Sequence, residues 1–319
     1  RFPVDLIMTQ LSIVVACFDR TDLLEESLVA VLQHRPADSE IVVVHDGRYA
    51  DPYDLKDEVR FVTVPSGSGW VESLEAGWRA ARGTVIHLLG AGVVPDEGWT
   101  EGVTTEFLDP AVGAVVPVVR EASRPERLRC VGVDLGPMLG HRLIAAGRLD
   151  DPSRIARCRP LGPSLAAAFV RRQALVDVGG LSSEFGDDLA DLDLARRLEE
   201  AGYDVAVAKE SGLRADQVDR PARRWTDRGR AHQRLIRSWP GIANWRRPMA
   251  SLWQMTIETL ASPRDPRRLA SVWGRLSELR RGAEPTAVET DESAQVLSLD
   301  DHRPRRESSE RSESRRRAA

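Results

Sequence analysis

The sequence predicts an α/β protein with an open, mostly parallel sheet and helices on both faces. Short apolar, β-branched runs alternate with amphipathic helical stretches from residue 11 to residue 120, which is the pattern of a doubly wound sheet. Polar turns follow the first two apolar runs, as expected where ligands bind at the carboxyl ends of strands. With 319 residues and 42% hydrophobic content, the chain can bury one large α/β core with an appendage, or two modest cores.

The first two strands and the helix between them form a predicted βαβ unit. LSIVVA at residues 11–16 is an apolar run of the kind that is buried on both faces of a parallel sheet. Asp22, followed three residues later by Glu25, is expected to open a helix through a capping box, and that helix should end before Pro36. EIVVVHDG at residues 40–47 repeats the strand pattern, so the crossover should be right-handed.

The alternation continues to residue 120. An apolar stripe along residues 69–83 predicts the second helix, with Gly83 as its stop. Pro117 lacks the amide hydrogen that a sheet ladder uses, so we expect strand 112–119 to lie at an edge or to end there. The other elements predicted in this part are strands 59–64 and 84–89 and a helix from Asp96 to Leu108.

The second half of the chain is less regular. Residues 120–160 are rich in Gly, Pro and Arg, and their pattern predicts no particular element. After them we expect a strand at 164–172, a helix at 188–202, a strand at 203–208 and helices through 221–281.

These elements divide the chain into four parts. Residues 1–10 precede the first strand and are set aside as a leader. Residues 11–215 form the predicted α/β domain. Residues 216–282 form a helical extension whose five tryptophans either anchor it on the sheet or offer a platform to an acceptor or a protein partner. Residues 283–319 carry almost no large apolar side chains, so we expect a disordered tail.

Composition excludes several classes of protein. A net charge of −4 gives no overall attraction for nucleic acid or for an anionic membrane. Cys17, Cys130 and Cys158 are scattered, which argues against a zinc site or a disulfide scaffold and favours a reducing, cytoplasmic setting. No apolar run is long enough for a transmembrane helix.

The chemistry is expected in the turns at the carboxyl ends of the strands. CFDR at 17–20 and HDGR at 45–48 are polar, whereas the third turn, GAG at 90–92, offers no side-chain oxygen. Asp46 before a glycine is also ordinary turn chemistry, and Asp19 can simply cap the helix that follows it.

In this order, the motifs resemble those of the family 2 glycosyltransferases, nucleotide-sugar enzymes with the GT-A fold. LSIVVACFDRTDLLEESLVAVLQ is similar to the opening segment of that family, and EIVVVHDG to its strand ending in Asp-Asp-Gly. GSGWVESLEAGWRAARGTVIHLLGAG resembles the segment that leads to its metal-binding Asp-x-Asp motif. FVRRQALVDVGGLSSEFGDDLADLDLARRLEEAGYDV resembles the acceptor-side segment, and the likeness extends over about residues 11 to 210.

The resemblance implies transfer of a sugar from a nucleotide-diphosphate donor to a glycan or other hydroxyl acceptor, with inversion in a single displacement. Asp46 is then the nucleoside-binding carboxylate, and the other implied donor contacts are Ala16, Phe18, Asp19 and Ala91. Asp191 matches the catalytic base, although on an acidic helix solvation is the ordinary explanation. Asp193 should point to another helix face and cap the helix or pair with a nearby arginine.

The sequence departs from the family pattern at the expected metal site. Gly90 and Gly92 stand where both metal-holding aspartates belong, so the Mg²⁺ or Mn²⁺ of the family has no predicted ligands here. Ala190 replaces the acidic partner of the base, and Leu74 stands in place of a frequent diphosphate-contacting arginine. Compensation is expected either from acids just downstream or from basic side chains that replace the metal; the candidates are Asp96, Glu97, Arg20, Arg48 and Arg82.

Two functions stay open from the sequence. One is a glycosyltransferase that works either with a weakly held metal ion or without one, and the other is an inactive relative that binds nucleotide-sugars or glycans or acts as a scaffold. A dinucleotide-binding oxidoreductase is disfavoured because ACFDR, not a glycine-rich phosphate turn, follows the first strand. The sequence leaves the sugar, the nucleotide, the acceptor and the oligomeric state open.

Overall fold

The computed structural model describes residues 11–136, 141–220, 225–239, 256 and 266–281. The described strands are β1 Leu11–Ala16, β2 Ser39–His45, β3 Val59–Thr63, β4 Val85–Gly90, β5 Val94–Pro95, β6 Val112–Arg120, β7 Leu128–Cys130, β8 Val133–Leu135, β9 His141–Leu143, β10 Ala167–Arg171 and β11 Asp204–Arg214. The described helices are α1 Thr21–His34, α2 Trp70–Ala80, α3 Glu101–Glu106, α4 Pro152–Ile155, α5 Arg172–Asp177, α6 Ala190–Glu200, α7 Trp225–Ser238 and α8 Pro266–Arg281, with a short 3₁₀ turn at Leu55–Asp57.

The main sheet has the strand order β3-β2-β1-β4-β10-β6-β11-β5, and β7 pairs with β6. Strands β1 to β4 are mutually parallel, β6 is parallel to β11, and β10 runs antiparallel between β4 and β6. Strands β8 and β9 form a separate two-stranded ribbon. The prediction of a mostly parallel sheet is confirmed.

Helices cover both faces of the sheet. On one face, Leu24, Leu28 and Val31 of α1 belong to an apolar cluster with side chains of β1, β2 and α3. On the other face, Leu74 and Trp78 of α2 pack in a second cluster with residues of α5 and α6. Alternate side chains of each central strand enter opposite clusters, and this explains why the strands read as continuous apolar runs.

The predicted capping box at the start of α1 is wrong. Arg20 holds the N-cap position, and the helix begins without a side-chain cap. The Asp22 carboxylate forms an ion pair with Arg20 at 2.6 Å, and Glu25 accepts a hydrogen bond from the Tyr53 hydroxyl at 3.3 Å. A guanidinium two residues away competes with the backbone amides for the Asp22 oxygens, so the cap does not form.

Helix α2 is capped from a distant part of the chain. Its N-cap residue, Gly69, has no side chain, and the Asp187 carboxylate accepts the backbone N–H groups of Trp70 and Val71, each at 3.1 Å. Asp187 is only 4% exposed. The helix ends at Ala80, three residues before the predicted stop.

Strand β6 contradicts the expectation that Pro117 marks an edge or an end. The strand lies between β10 and β11 in the interior of the sheet and continues to Arg120. Pro117 pairs with Ala208, and the register then shifts so that Val118 faces Gly212. The irregularity in β11 accommodates the missing amide hydrogen of the proline.

Two other parts of the chain differ from the predicted elements. The helix expected from Asp96 begins only at Glu101, because Val94–Pro95 pairs with β11 and a turn follows it. Residues 120–160 contain β7, β8, β9 and α4, whose three- or four-residue lengths are too short to show a period.

The described part of the extension is helical. Helices α7 and α8 approach closely at two glycines: a Cβ on Gly229 would lie 1.9 Å from the Ser271 carbonyl oxygen, and one on Gly274 would lie 2.0 Å from that of Thr226. The leader, the tail, Trp245 and Trp253 lie outside the described residues. Among the helices that the structure describes, none is long and apolar enough to cross a membrane.

Candidate functional site

The turn after β2 holds a compact charged group. The Asp46 side chain is 6% exposed, and its Oδ2 accepts a hydrogen bond from Arg48 Nε at 2.7 Å. Nη1 of the same guanidinium donates to Asp19 Oδ1 at 2.7 Å, so the structure brings Asp19 and Asp46 together. Hydrogen bonding to Arg48 lowers the pKa of Asp46, which therefore stays ionised at neutral pH and keeps lone pairs for a further donor.

The turn after β1 is fixed by an acid from the segment that follows β11. Asp219 Oδ2 accepts the backbone N–H of Phe18 at 2.7 Å and that of Arg20 at 3.3 Å. The Asp219 N–H donates to the Ala91 carbonyl at 2.9 Å. Asp219, which is 4% exposed, therefore ties the β1 turn to the turn after β4. Between these contacts, burial and the neighbouring acids raise the pKa of the Cys17 thiol to about 12.

The glycine turn after β4 is covered by the segment that carries Asp219. A Cβ on Gly90 would lie 2.4 Å from Val218 Cγ1, and one on Gly92 would lie 2.6 Å from the Gln217 carbonyl oxygen. Gly92 also has a φ of +96°, which favours glycine. Side chains at these two positions would displace residues 217 and 218.

The residues at this turn do not fit a divalent ion. Neither Gly90 nor Gly92 has a side-chain oxygen to offer as a ligand, and Asp96 is committed to Arg214, whose Nε lies 2.6 Å from Asp96 Oδ1. Glu97 is exposed. Across the described ranges, no group of three or more His, Cys, Asp or Glu side chains is arranged to hold a metal ion.

The three arginines considered as replacements for the metal lie in different places. The prediction for Arg82 is wrong, because Arg82 precedes β4 and the whole length of that strand separates it from the turn at 90–92. Arg20 pairs with Asp22 and also donates to Gln217 Oε1 at 3.1 Å, beside the turn. Arg48 is occupied by Asp19 and Asp46.

Asp191 lines a cavity of about 260 Å³ at the same edge of the sheet. The carboxylate, only 4% exposed, lies in the first turn of α6, and its Oδ2 is 3.0 Å from His141 Nε2 of β9. Val218, which covers Gly90, also lines this cavity, so the cavity reaches the glycine turn. A buried carboxylate oriented by an imidazole can accept a proton from a hydroxyl placed in the cavity.

Two cationic side chains also line this cavity. Arg129 donates to the Asp216 carbonyl at 2.8 Å, and the Arg220 guanidinium lies over the Trp70 ring with its carbon 4.1 Å from the ring centroid. Arg129 and Arg220 place positive charge in the cavity that holds Asp191, where an anionic group is electrostatically favoured.

The other positions of the acceptor-side segment have structural roles. Asp193 is 2% exposed and pairs with Arg196 at 3.1 Å and Arg197 at 2.8 Å, so the predicted pairing with arginine is observed. Ala190 of this segment is buried in the second apolar cluster, as is Leu74 of α2, the position where the family often has an arginine.

The comparison with protein families gives one match, to the first part of the chain. Residues 12–131 match the model of glycosyl transferase family 2. The matched residues include β1, the turn with Asp46 and the glycine turn, and they make up less than half of the chain. No curated protein matches the chain.

One solved structure supports the GT-A glycosyltransferase fold. A structure described as GalNAc-T7 with UDP, GalNAc and Mn²⁺ matches with a TM-score of 0.60 at 12% identity, over 86% of this chain and 55% of the other. This chain therefore spans little more than half the length of that protein. The mannosyltransferase PcManGT from Pyrobaculum calidifontis, in complex with GDP-Man and Mn²⁺, matches with a TM-score of 0.49 at 16% identity, over 85% of this chain and 87% of the other.

Proposed function

We propose that the protein transfers a sugar from a nucleotide-diphosphate donor to a hydroxyl acceptor, with inversion at the anomeric carbon and without a divalent ion. The observation that carries this proposal is the buried Asp191 carboxylate, held 3.0 Å from His141 at the carboxyl edge of a family 2-like sheet. Asp46 binds the nucleoside, and Ala16, Phe18, Asp19 and Ala91 lie along the donor. A single displacement with Asp191 as base inverts the anomeric centre.

The charge of the leaving nucleoside diphosphate needs stabilisation in the absence of a metal. Arg129 and Arg220 line the cavity with Asp191 and supply two guanidinium groups for this purpose. We prefer them to Arg48 and Arg82 as the groups that stabilise the diphosphate. Arg48 is already paired with Asp19 and Asp46, and Arg82 lies at the amino end of β4, away from the turn.

A metal-dependence assay tests the proposal directly. Purified protein is incubated with a panel of UDP- and GDP-sugars, with water and simple glycans as acceptors, and release of the nucleoside diphosphate is measured with Mn²⁺ or with EDTA. We expect turnover with at least one donor and equal rates in both conditions. Turnover that requires Mn²⁺ would contradict the metal-independent mechanism, and donor binding without turnover would contradict catalysis.

One observation favours the alternative of a non-catalytic binder of nucleotide-sugars or glycans. Residues 217 and 218 cover the glycine turn, where a diphosphate and its metal would lie in the family pattern. In that case titration calorimetry would show donor binding that is indifferent to Mn²⁺, and the same donors would give no product.

His141 is proposed as a positioning residue for Asp191. We expect His141→Ala to lower kcat about tenfold, since one orienting hydrogen bond to a charged group is worth about 1.4 kcal/mol or more. The KM for the donor should stay unchanged, because His141 contacts the base and not the nucleoside turn. His141→Gln, whose amide can still donate to the carboxylate, should recover most of the lost rate. Equal losses in both variants, or a rise in KM alone, would contradict the positioning role.

A further inference from the structure

A second cavity, of about 430 Å³, lies in the part of the chain that the sequence left without predicted elements. Its walls come from β8, β9, α4 and the turns next to them. Five arginines and one acid line it: Arg142, Arg148, Arg154, Arg157, Arg159 and Asp134. The cavity that these five arginines line is called the arginine cavity below.

The guanidinium groups of the arginine cavity are not all used by the protein. Arg142 pairs with Asp134, the one acid in the lining. Arg157 donates to the Ser153 carbonyl at 3.0 Å and Arg159 to the Cys158 carbonyl at 2.8 Å, and each keeps further N–H groups. Within the described ranges, the side chains of Arg148 and Arg154 form no hydrogen bond or ion pair.

The five arginines are exposed, so water and salt screen part of their mutual repulsion, and a bound anion would remove more of it. The chain as a whole is acidic, with a net charge of −4, yet this cavity holds five cations and one anion. Asp151, next to α4, has its pKa lowered chiefly by hydrogen bonds from Ser153; the Arg154 guanidinium acts on it electrostatically, and the Arg154 backbone N–H is a weaker cause. A small anion with several oxygens would neutralise the cluster, since guanidinium groups bind phosphate oxygens in a bidentate manner.

We propose that the arginine cavity is a binding site for a phosphate-bearing ligand, distinct from the cavity of Asp191. Its volume of about 430 Å³ lies in the range of small-molecule sites and leaves room for a phosphate or diphosphate group together with the molecule that carries it. Strand β9 lies between the two cavities: His141 lines the Asp191 cavity, Arg142 lines the arginine cavity, and Leu143 lines both. A phosphorylated molecule held by these arginines therefore lies on the other side of one strand from the proposed base.

Isothermal titration of the full chain with sodium pyrophosphate tests the site. In the double variant Arg148→Gln/Arg154→Gln, we expect the dissociation constant to rise at least about tenfold, because two charge-assisted contacts are lost. Both side chains are exposed and make no contact that the fold needs, so the variant should keep the circular dichroism spectrum of the wild type. The matched control is Arg82→Gln/Lys209→Gln, which removes the same charge from two exposed side chains elsewhere and should bind like the wild type.

The outcomes separate this proposal from its competitors. Equal weakening in both double variants, tight binding of citrate in place of pyrophosphate, or no binding by the wild type would overturn it. Flotation with phosphatidylcholine vesicles that contain phosphatidic acid then distinguishes the source: arginine-dependent flotation supports a lipid headgroup, and pyrophosphate binding without flotation supports a soluble phosphate. Pyrophosphate also resembles the diphosphate that we place beside Arg129 and Arg220, so only the binding that is lost in Arg148→Gln/Arg154→Gln reports on the arginine cavity. That loss does not depend on sugar transfer, so failure of the proposed function leaves it intact.

Discussion

Replacing Asp191 by asparagine is expected to lower turnover by about 10²- to 10⁴-fold, the usual contribution of a placed general base. The amide has almost the same shape as the carboxylate and can still bond to His141, so the cavity should keep its geometry. It cannot accept the proton of an acceptor hydroxyl at neutral pH. Donor binding, measured by calorimetry, should therefore be unchanged while release of the nucleoside diphosphate falls.

The matched control for this change is Asp188→Asn. Asp188 lies three residues earlier, is 38% exposed in its side chain, and has a distant ion-pair partner, Arg228, at 3.8 Å. Its replacement should leave turnover close to that of the wild type. If Asp191→Asn retained full turnover, or if Asp188→Asn lost as much, the assignment of the base would be wrong.

The sequence predicted best the elements whose burial is complete. β1, β2 and β4 are each continuous apolar runs, because both faces of a central parallel strand are covered by helices. Strand β10 was predicted at nearly its observed position, but its antiparallel direction is set by neighbouring strands and not by its own residues. The short strands β7 to β9 were not predicted, since three residues contain no measurable period.

The candidate site was also only partly predictable, because some of its residues lie on short elements or are joined by long-range contacts. Asp46 and Asp19 follow predicted strands, and the rule that ligands bind at the carboxyl ends of strands places them at one edge. His141 lies on an unpredicted strand fifty residues from Asp191, so no local pattern links the two. Asp219 follows β11, which ends at the same edge of the sheet, so the same rule would have made it a candidate site residue. It was missed because the predicted strand stopped at residue 208, whereas β11 continues to Arg214. Long-range hydrogen bonds of this kind are a property of the tertiary fold.

The second large effect is expected on stability, for the change Asp219→Ala. The buried carboxylate accepts the N–H groups of Phe18 and Arg20, and its removal leaves the Phe18 amide without its acceptor in a buried setting. Hydrogen bonds to a charged group contribute about 1.5–3 kcal/mol each, and the longer one less, so the free energy of unfolding should fall by about 2–4 kcal/mol. Urea denaturation should show a lower midpoint with an unchanged slope.

A control on the same segment separates the buried contact from a general loosening of the chain. Asp216 is exposed, and its carboxylate accepts the backbone N–H of Ser123 at 2.9 Å. Asp216→Ala should therefore cost no more than about 1 kcal/mol. Hydrogen exchange gives a local readout, because the Phe18 amide should exchange faster in Asp219→Ala and at the wild-type rate in Asp216→Ala. Similar losses of stability in both variants would contradict the role of Asp219, since its contact with the β1 turn is what distinguishes the two acids.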